Sequence, residues 1–112
     1  MTFSGMKDQA SPVATTRLKR QLAEQAIAQA AAGKWSDAAE TNRQLLEVGP
    51  EADAENRLAK SLWELGELGA AREHYQAALA LDPTNRIAER NIDQLKTLLV
   101  SAGERTVPAQ AG

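Results

Sequence analysis

The sequence predicts an all-α chain of stacked antiparallel helix hairpins, and three observations carry that prediction. The first is the kind of apolar residue used. Twenty-two Ala and thirteen Leu stand against three Ile and four Val, a mix that favours helices over sheets. The second is a series of five helical segments parted by short turns bearing Gly or Pro, which force successive helices antiparallel. The third is an internal repeat: Gly33, Ala38, Leu46 and Pro50 recur, each at the same displacement, as Gly66, Ala71, Leu79 and Pro83. A period of this size with helix-turn-helix content means stacked hairpins rather than a closed bundle.

The elements follow in order. Residues 1–14 show no periodicity and read as a flexible leader. The first helix is expected from about Thr16 to Ala32, stopped by Gly33. The second starts near Ser36, a capping residue with Asp37 and Glu40 in the first turn, and ends before Gly49-Pro50. The third covers about Ala52 to Leu65 and stops at Gly66. The fourth covers about Leu68 to Leu81 and stops at Asp82-Pro83. The fifth follows Thr84-Asn85 and runs to about Val100. Its stripe Ala88, Ile92, Leu95, Leu99 is one narrow helical face, suited to covering the open end of the stack. Residues 101–112 read as a flexible tail. The domain is thus expected over residues 15–100, with repeats at about 18–50 and 51–83 and a capping helix at about 85–100.

Composition removes several function classes. A chain of 112 residues holds one domain. Without Cys there are no disulfides, thiolate zinc sites or cysteine nucleophiles. The single His74 has no second imidazole beside it and reads as a partly exposed surface residue. Glu51, Asp53 and Glu55 crowd the start of the third helix, where they favour its dipole. A net charge of −2 argues against a generic nucleic-acid binder, and the basic run Arg17, Lys19, Arg20 lacks interleaved aromatics. No 18-residue apolar run is present, and the first twenty residues lack a signal-peptide core, so the cytoplasm is the expected compartment. No phosphate loop or nucleophile elbow occurs. The chain is therefore not expected to be an enzyme, and neither metal nor cofactor is called for.

The spacing Gly66-(5)-Ala71-(4)-Tyr75-(3)-Ala78-(5)-Pro83, within LWELGELGAAREHYQAALALDP, resembles the tetratricopeptide repeat. In the first copy Gly33, Trp35, Ala38 and Pro50 match, while Asn42 replaces an aromatic and Leu45 an alanine. The family repeat is about 34 residues long, and the spacing here is one shorter, which implies a deletion, placed in the turn after Pro50. The resemblance implies a right-handed curved stack whose concave surface, lined by the first helix of each hairpin, binds peptides or partner proteins without catalysis. It also implies that Ala71 and Ala78 lie where paired helices cross, with Tyr75 filling the hole beside them.

Helical phase locates the groove side chains. In the third helix Leu58, Leu62 and Leu65 share one stripe, and Asn56, Lys60 and Trp63 fall opposite. On the fifth helix Arg90, Gln94 and Thr97 lie opposite the apolar stripe. On the first, Arg20, Ala23 and Ile27 lie opposite Leu18 and Leu22. Stacked, these rows form a groove with an apolar end, a central Trp and a cationic flank, suited to an acidic or C-terminal peptide segment. The expected binding residues are Asn56, Lys60, Trp63, Arg90 and Gln94, with Ile27 as an apolar contact. Trp35 reads as core or turn packing. The rival reading is self-association into a homo-oligomer, or docking within a larger chain, through the apolar cluster Leu98, Leu99, Val100.

Overall fold

The computed structural model describes the backbone of residues 11–111 and the side chains of residues 11–102. Its described residues form five helices: α1 (Pro12–Ala31), α2 (Trp35–Val48), α3 (Ala52–Glu64), α4 (Leu68–Leu81) and α5 (Arg86–Ala111). Each packs against the next in sequence, and α1 also touches α3, so the first helices of successive hairpins lie side by side. That arrangement is a stack of hairpins.

Three helix ends differ from the sequence expectation. The Oγ of Ser11 accepts a hydrogen bond from the N–H of Ala14 at 3.0 Å, and Pro12 takes the first turn. This cap starts α1 inside the expected leader, whose residues 1–10 lie outside the described residues. α2 begins at Trp35 without a side-chain cap, so Ser36 is its second residue and not its cap. At the far end, the apolar stripe stops near Val100, but α5 continues without it to Ala111. The segment read as a tail carries the helix on.

The repeat is reproduced bond for bond at its glycines. Gly33 has φ 75° and Gly66 φ 86°, the left-handed region that glycine enters without a Cβ penalty. Gly33 N–H donates to Ala30 C=O at 2.9 Å and Lys34 N–H to Gln29 C=O at 2.8 Å. At the second glycine, Gly66 N–H donates to Trp63 C=O at 2.9 Å and Glu67 N–H to Leu62 C=O at 2.8 Å. Both are Schellman caps, which use up orphan carbonyls and turn the chain straight into the next helix.

The shortened period is located as well. Gly49 and Asp82 directly follow α2 and α4, and Glu51 and Asn85 directly precede α3 and α5. The first of these turns is Gly49-Pro50-Glu51 and the second Asp82-Pro83-Thr84-Asn85, so the first is one residue shorter than its counterpart. Asn85 caps α5 by accepting from Ala88 N–H at 3.0 Å, and Asp82 holds the preceding turn by accepting from the N–H and hydroxyl of Thr84.

Burial follows the repeat. Ala71 and Ala78 are fully buried, and Tyr75 fills the space beside them. In the first hairpin the sizes are exchanged: Asn42 stands where the second has Tyr75, and Leu45 where it has Ala78, and both are buried. A small polar residue with a large apolar neighbour replaces a large aromatic with a small neighbour, the kind of volume-compensated change that cores tolerate. Ala88 and Leu95 are buried and Ile92 packs on the core, so the inward stripe of α5 covers the second hairpin. Two stripe leucines behave otherwise. Leu65 is exposed because it is the C-cap of α3, and Leu18 is exposed on α1, where Leu22 and Ala26 face inward instead.

Candidate functional site

Three clefts join into one trough along α3 and α5. The first, about 200 Å³, has apolar walls from Trp35, Tyr75 and Ile87, with Asn56, Lys60 and Asn91 at its edges. The second, about 490 Å³, is polar and lined by Lys60, Trp63, Glu64, Arg90, Asn91 and Gln94. The third, about 360 Å³, is apolar again and lies among Trp63, Gln94, Thr97 and Leu98. Lys60 and Asn91 are shared by the first pair, and Trp63 and Gln94 by the second. A further cleft, among Pro12, Val13 and Arg17, lies on α1 alone and shares no residue with the trough.

Of the residues singled out from sequence, Asn56, Lys60, Trp63, Arg90 and Gln94 come together here. The alignment follows from register: α3 and α5 start one full repeat apart, as the positions of Glu51 and Asn85 show, so Arg90 and Gln94 repeat the positions of Asn56 and Lys60. Ile27 does not join them. It is 52% exposed, and among the described residues Ala30 is the α1 side chain that reaches the trough. The groove runs between the second hairpin and the capping helix, leaving most of the first helix outside it.

Trp35, Tyr75, Ile87 and Asn91 belong to the trough although sequence reasoning does not pick them out. Trp35 is the first residue of α2, half-buried, and it walls the apolar cleft. Tyr75 has the spacing of a core residue, and its ring is both core and cleft floor. Asn91 adjoins Arg90 on the helix and repeats the position of Arg57, which also lines the first cleft.

The electrostatics are more paired than the sequence suggests. Lys60 Nζ lies 2.6 Å from Glu64 Oε2, one helical turn on, and 5.9 Å from the centre of the Trp35 ring, within cation–π range. Arg57 donates to Asn42 Oδ1 at 3.1 Å and lies 3.5 Å from Glu51. Arg90 is exposed and makes no ion pair among the described residues. The expected cationic flank is thus Arg90 free and Lys60 matched. Asn56 Oδ1 is buried with no hydrogen-bond partner, an acceptor left unused at the edge of the apolar cleft. Trp63 meets Tyr75 edge to face, with ring centres 6.4 Å apart at 84°, a favoured aromatic geometry. Burial raises the pKa of the Tyr75 phenol above its ordinary value, against smaller opposing effects from a hydrogen bond with Asn91 and the charges of Lys60 and Arg90. The phenol is neutral at physiological pH.

Two of the three acidic residues at the head of α3 are engaged elsewhere. Glu51 pairs with Arg57, and Glu55 meets His74 Nδ1 at 2.7 Å, joining α3 to α4. Among the described residues no group of three or more metal-ligating side chains converges. No helix among them is long and apolar enough to cross a membrane.

Stacked helix hairpins with a lateral trough define an α-helical repeat scaffold. Residues 52–85, which span α3, α4 and the turn up to the α5 cap, match the family model of the tetratricopeptide repeat, and the chain resembles that family. Such repeats are generally protein-interaction modules without catalysis. A comparison with curated proteins found no match.

Proposed function

We propose that this chain docks an extended peptide segment of a partner protein in the trough between α3 and α5, and that it performs no catalysis. The single observation that supports this reading most is the order of surfaces along the trough: an apolar cleft, a polar cleft with Arg90 and Lys60, and a second apolar cleft. A segment with one apolar side chain followed by acidic residues fits that order. The apolar side chain would enter between Trp35, Tyr75 and Ile87. The acidic residues would lie against Arg90. Charge complementarity of this kind supplies selectivity and association rate more than raw affinity.

A second reading keeps some support from Leu98 and Val100, which are 44% and 52% exposed. They offer an apolar end to another copy of the chain. A light-scattering mass near twice the 12.0 kDa of one chain would favour it.

The test is selection from a displayed random peptide library, followed by affinity measurement with Trp63→Ala and Arg90→Glu. Enriched peptides should carry one apolar residue with acidic residues beside it. Trp63→Ala should weaken them by about 2 kcal/mol, as for an interface anchor, and Arg90→Glu should abolish the acidic preference. No enrichment, or unchanged affinity in well-folded variants, would overturn the reading.

A further inference from the structure

We infer that Glu64 is a built-in competitor for the ligand's carboxylates, and that it sets how strongly the trough selects acidic segments. This rests on the peptide-docking reading above. Glu64 and Lys60 line the same polar cleft as Arg90, and the Glu64 carboxylate already sits 2.6 Å from the Lys60 ammonium. One of the two cations in the cleft is therefore matched from within the chain, and Arg90 is left open.

The pair is built to exchange. Its members are 53% and 38% exposed, and the lysine comes one helical turn before the glutamate. That is the weaker direction for a helical ion pair, and exposed pairs of this kind contribute little. Glu64 is on the last turn of α3 and can swing to solvent. Lys60 has a second hold that does not depend on Glu64, the face of Trp35 at 5.9 Å, so its ammonium stays at the junction of the apolar and polar clefts when the carboxylate changes. A ligand with a single carboxylate gains Arg90 alone. A ligand with two displaces Glu64 and takes Lys60 as well. Glu64 thereby lowers the affinity of acidic ligands that engage Lys60 as well as Arg90, and leaves neutral ligands unaffected.

The experiment uses two labelled short peptides with one central leucine, flanked by glutamates in one and by glutamines in the other. Their affinities are measured by fluorescence anisotropy on the full chain, on Glu64→Gln, and on both again in a Lys60→Met background. Glu64→Gln should tighten the glutamate peptide about two- to fivefold, the scale of an exposed ion pair, and leave the glutamine peptide unchanged. In the Lys60→Met background that gain should shrink, because there is no ammonium left to compete for. Melting curves of the variants should match the parent. Equal tightening of both peptides, no tightening of either, or a gain undiminished by Lys60→Met would each overturn the competition while leaving peptide docking intact. Binding of neither peptide by any variant would instead overturn both.

Discussion

Arg57 reaches from α3 back into the first hairpin and donates its Nε–H to the Oδ1 of Asn42 at 3.1 Å. Asn42 occupies the position that Tyr75 fills in the second hairpin, and its own Nδ2 donates to Ala38 C=O at 2.9 Å. One hairpin thus replaces an aromatic plug with a polar clasp supplied by its neighbour. Asn42→Ala should cost about 1–3 kcal/mol, because it strands a partly buried guanidinium donor. Asn42→Tyr alone should cost a similar amount by overpacking against Leu45. Combining it with Leu45→Ala should recover part of that loss, since the pair then matches Tyr75 and Ala78. Urea unfolding of the singles and the double gives the coupling energy. Simple additivity would show that the two positions do not share one space.

The second hairpin depends on its small residues. Ala71→Leu should destabilise by about 1–3 kcal/mol, because the crossing helices leave no room for a larger side chain. Tyr75→Ala should cost about 3–5 kcal/mol through the cavity it opens. Thermal melts of the two variants check this, and parent-like melting of both would contradict the packing described above.

Tyr75 also predicts an alkaline limit. Its neutral form is favoured in the folded chain, chiefly by burial, so its pKa lies above the ordinary 10.0 of the unfolded chain. The sign follows from linkage: a raised pKa adds stability that is complete below the unfolded value and is lost as pH rises through the folded one. The parent should therefore lose stability above about pH 10 more steeply than Tyr75→Phe, which has no phenol to ionise. Denaturant midpoints of the two from about pH 8 upward, taken as a difference, remove the shared titration of the lysines.

Much of the fold is legible along the chain because its causes are local. Gly33 and Gly66 stop helices through their own backbone freedom, and Ala71, Tyr75 and Ala78 are spaced to meet at one crossing. The side chains of α3 and α5 that share the trough follow from helical phase, since roughly 100° per residue puts Asn56, Lys60 and Trp63 on one side wherever the helix goes. The recurrence of Gly33 to Pro50 as Gly66 to Pro83 even locates the shortened turn after Pro50.

What remained for the tertiary structure was every relation between helices whose outcome depends on how the hairpins sit together. Helical phase puts Ile27 at the position that Lys60 holds in the next repeat, but the stack leaves Ile27 outside the trough. Trp35 and Ile87 become cleft walls only because the first residue of α2 and the first turn of α5 come together beside Tyr75. Lys60 reads as a free cation until the rotamer of Glu64 is known, and Asn42 reads only as a replaced aromatic until Arg57 is seen to clasp it. Periodicity and turn chemistry act within a few residues and are written in the order of the chain. Packing, pairing and the shape of a groove are set by distances between residues far apart in that order, and only the assembled fold brings them within reach.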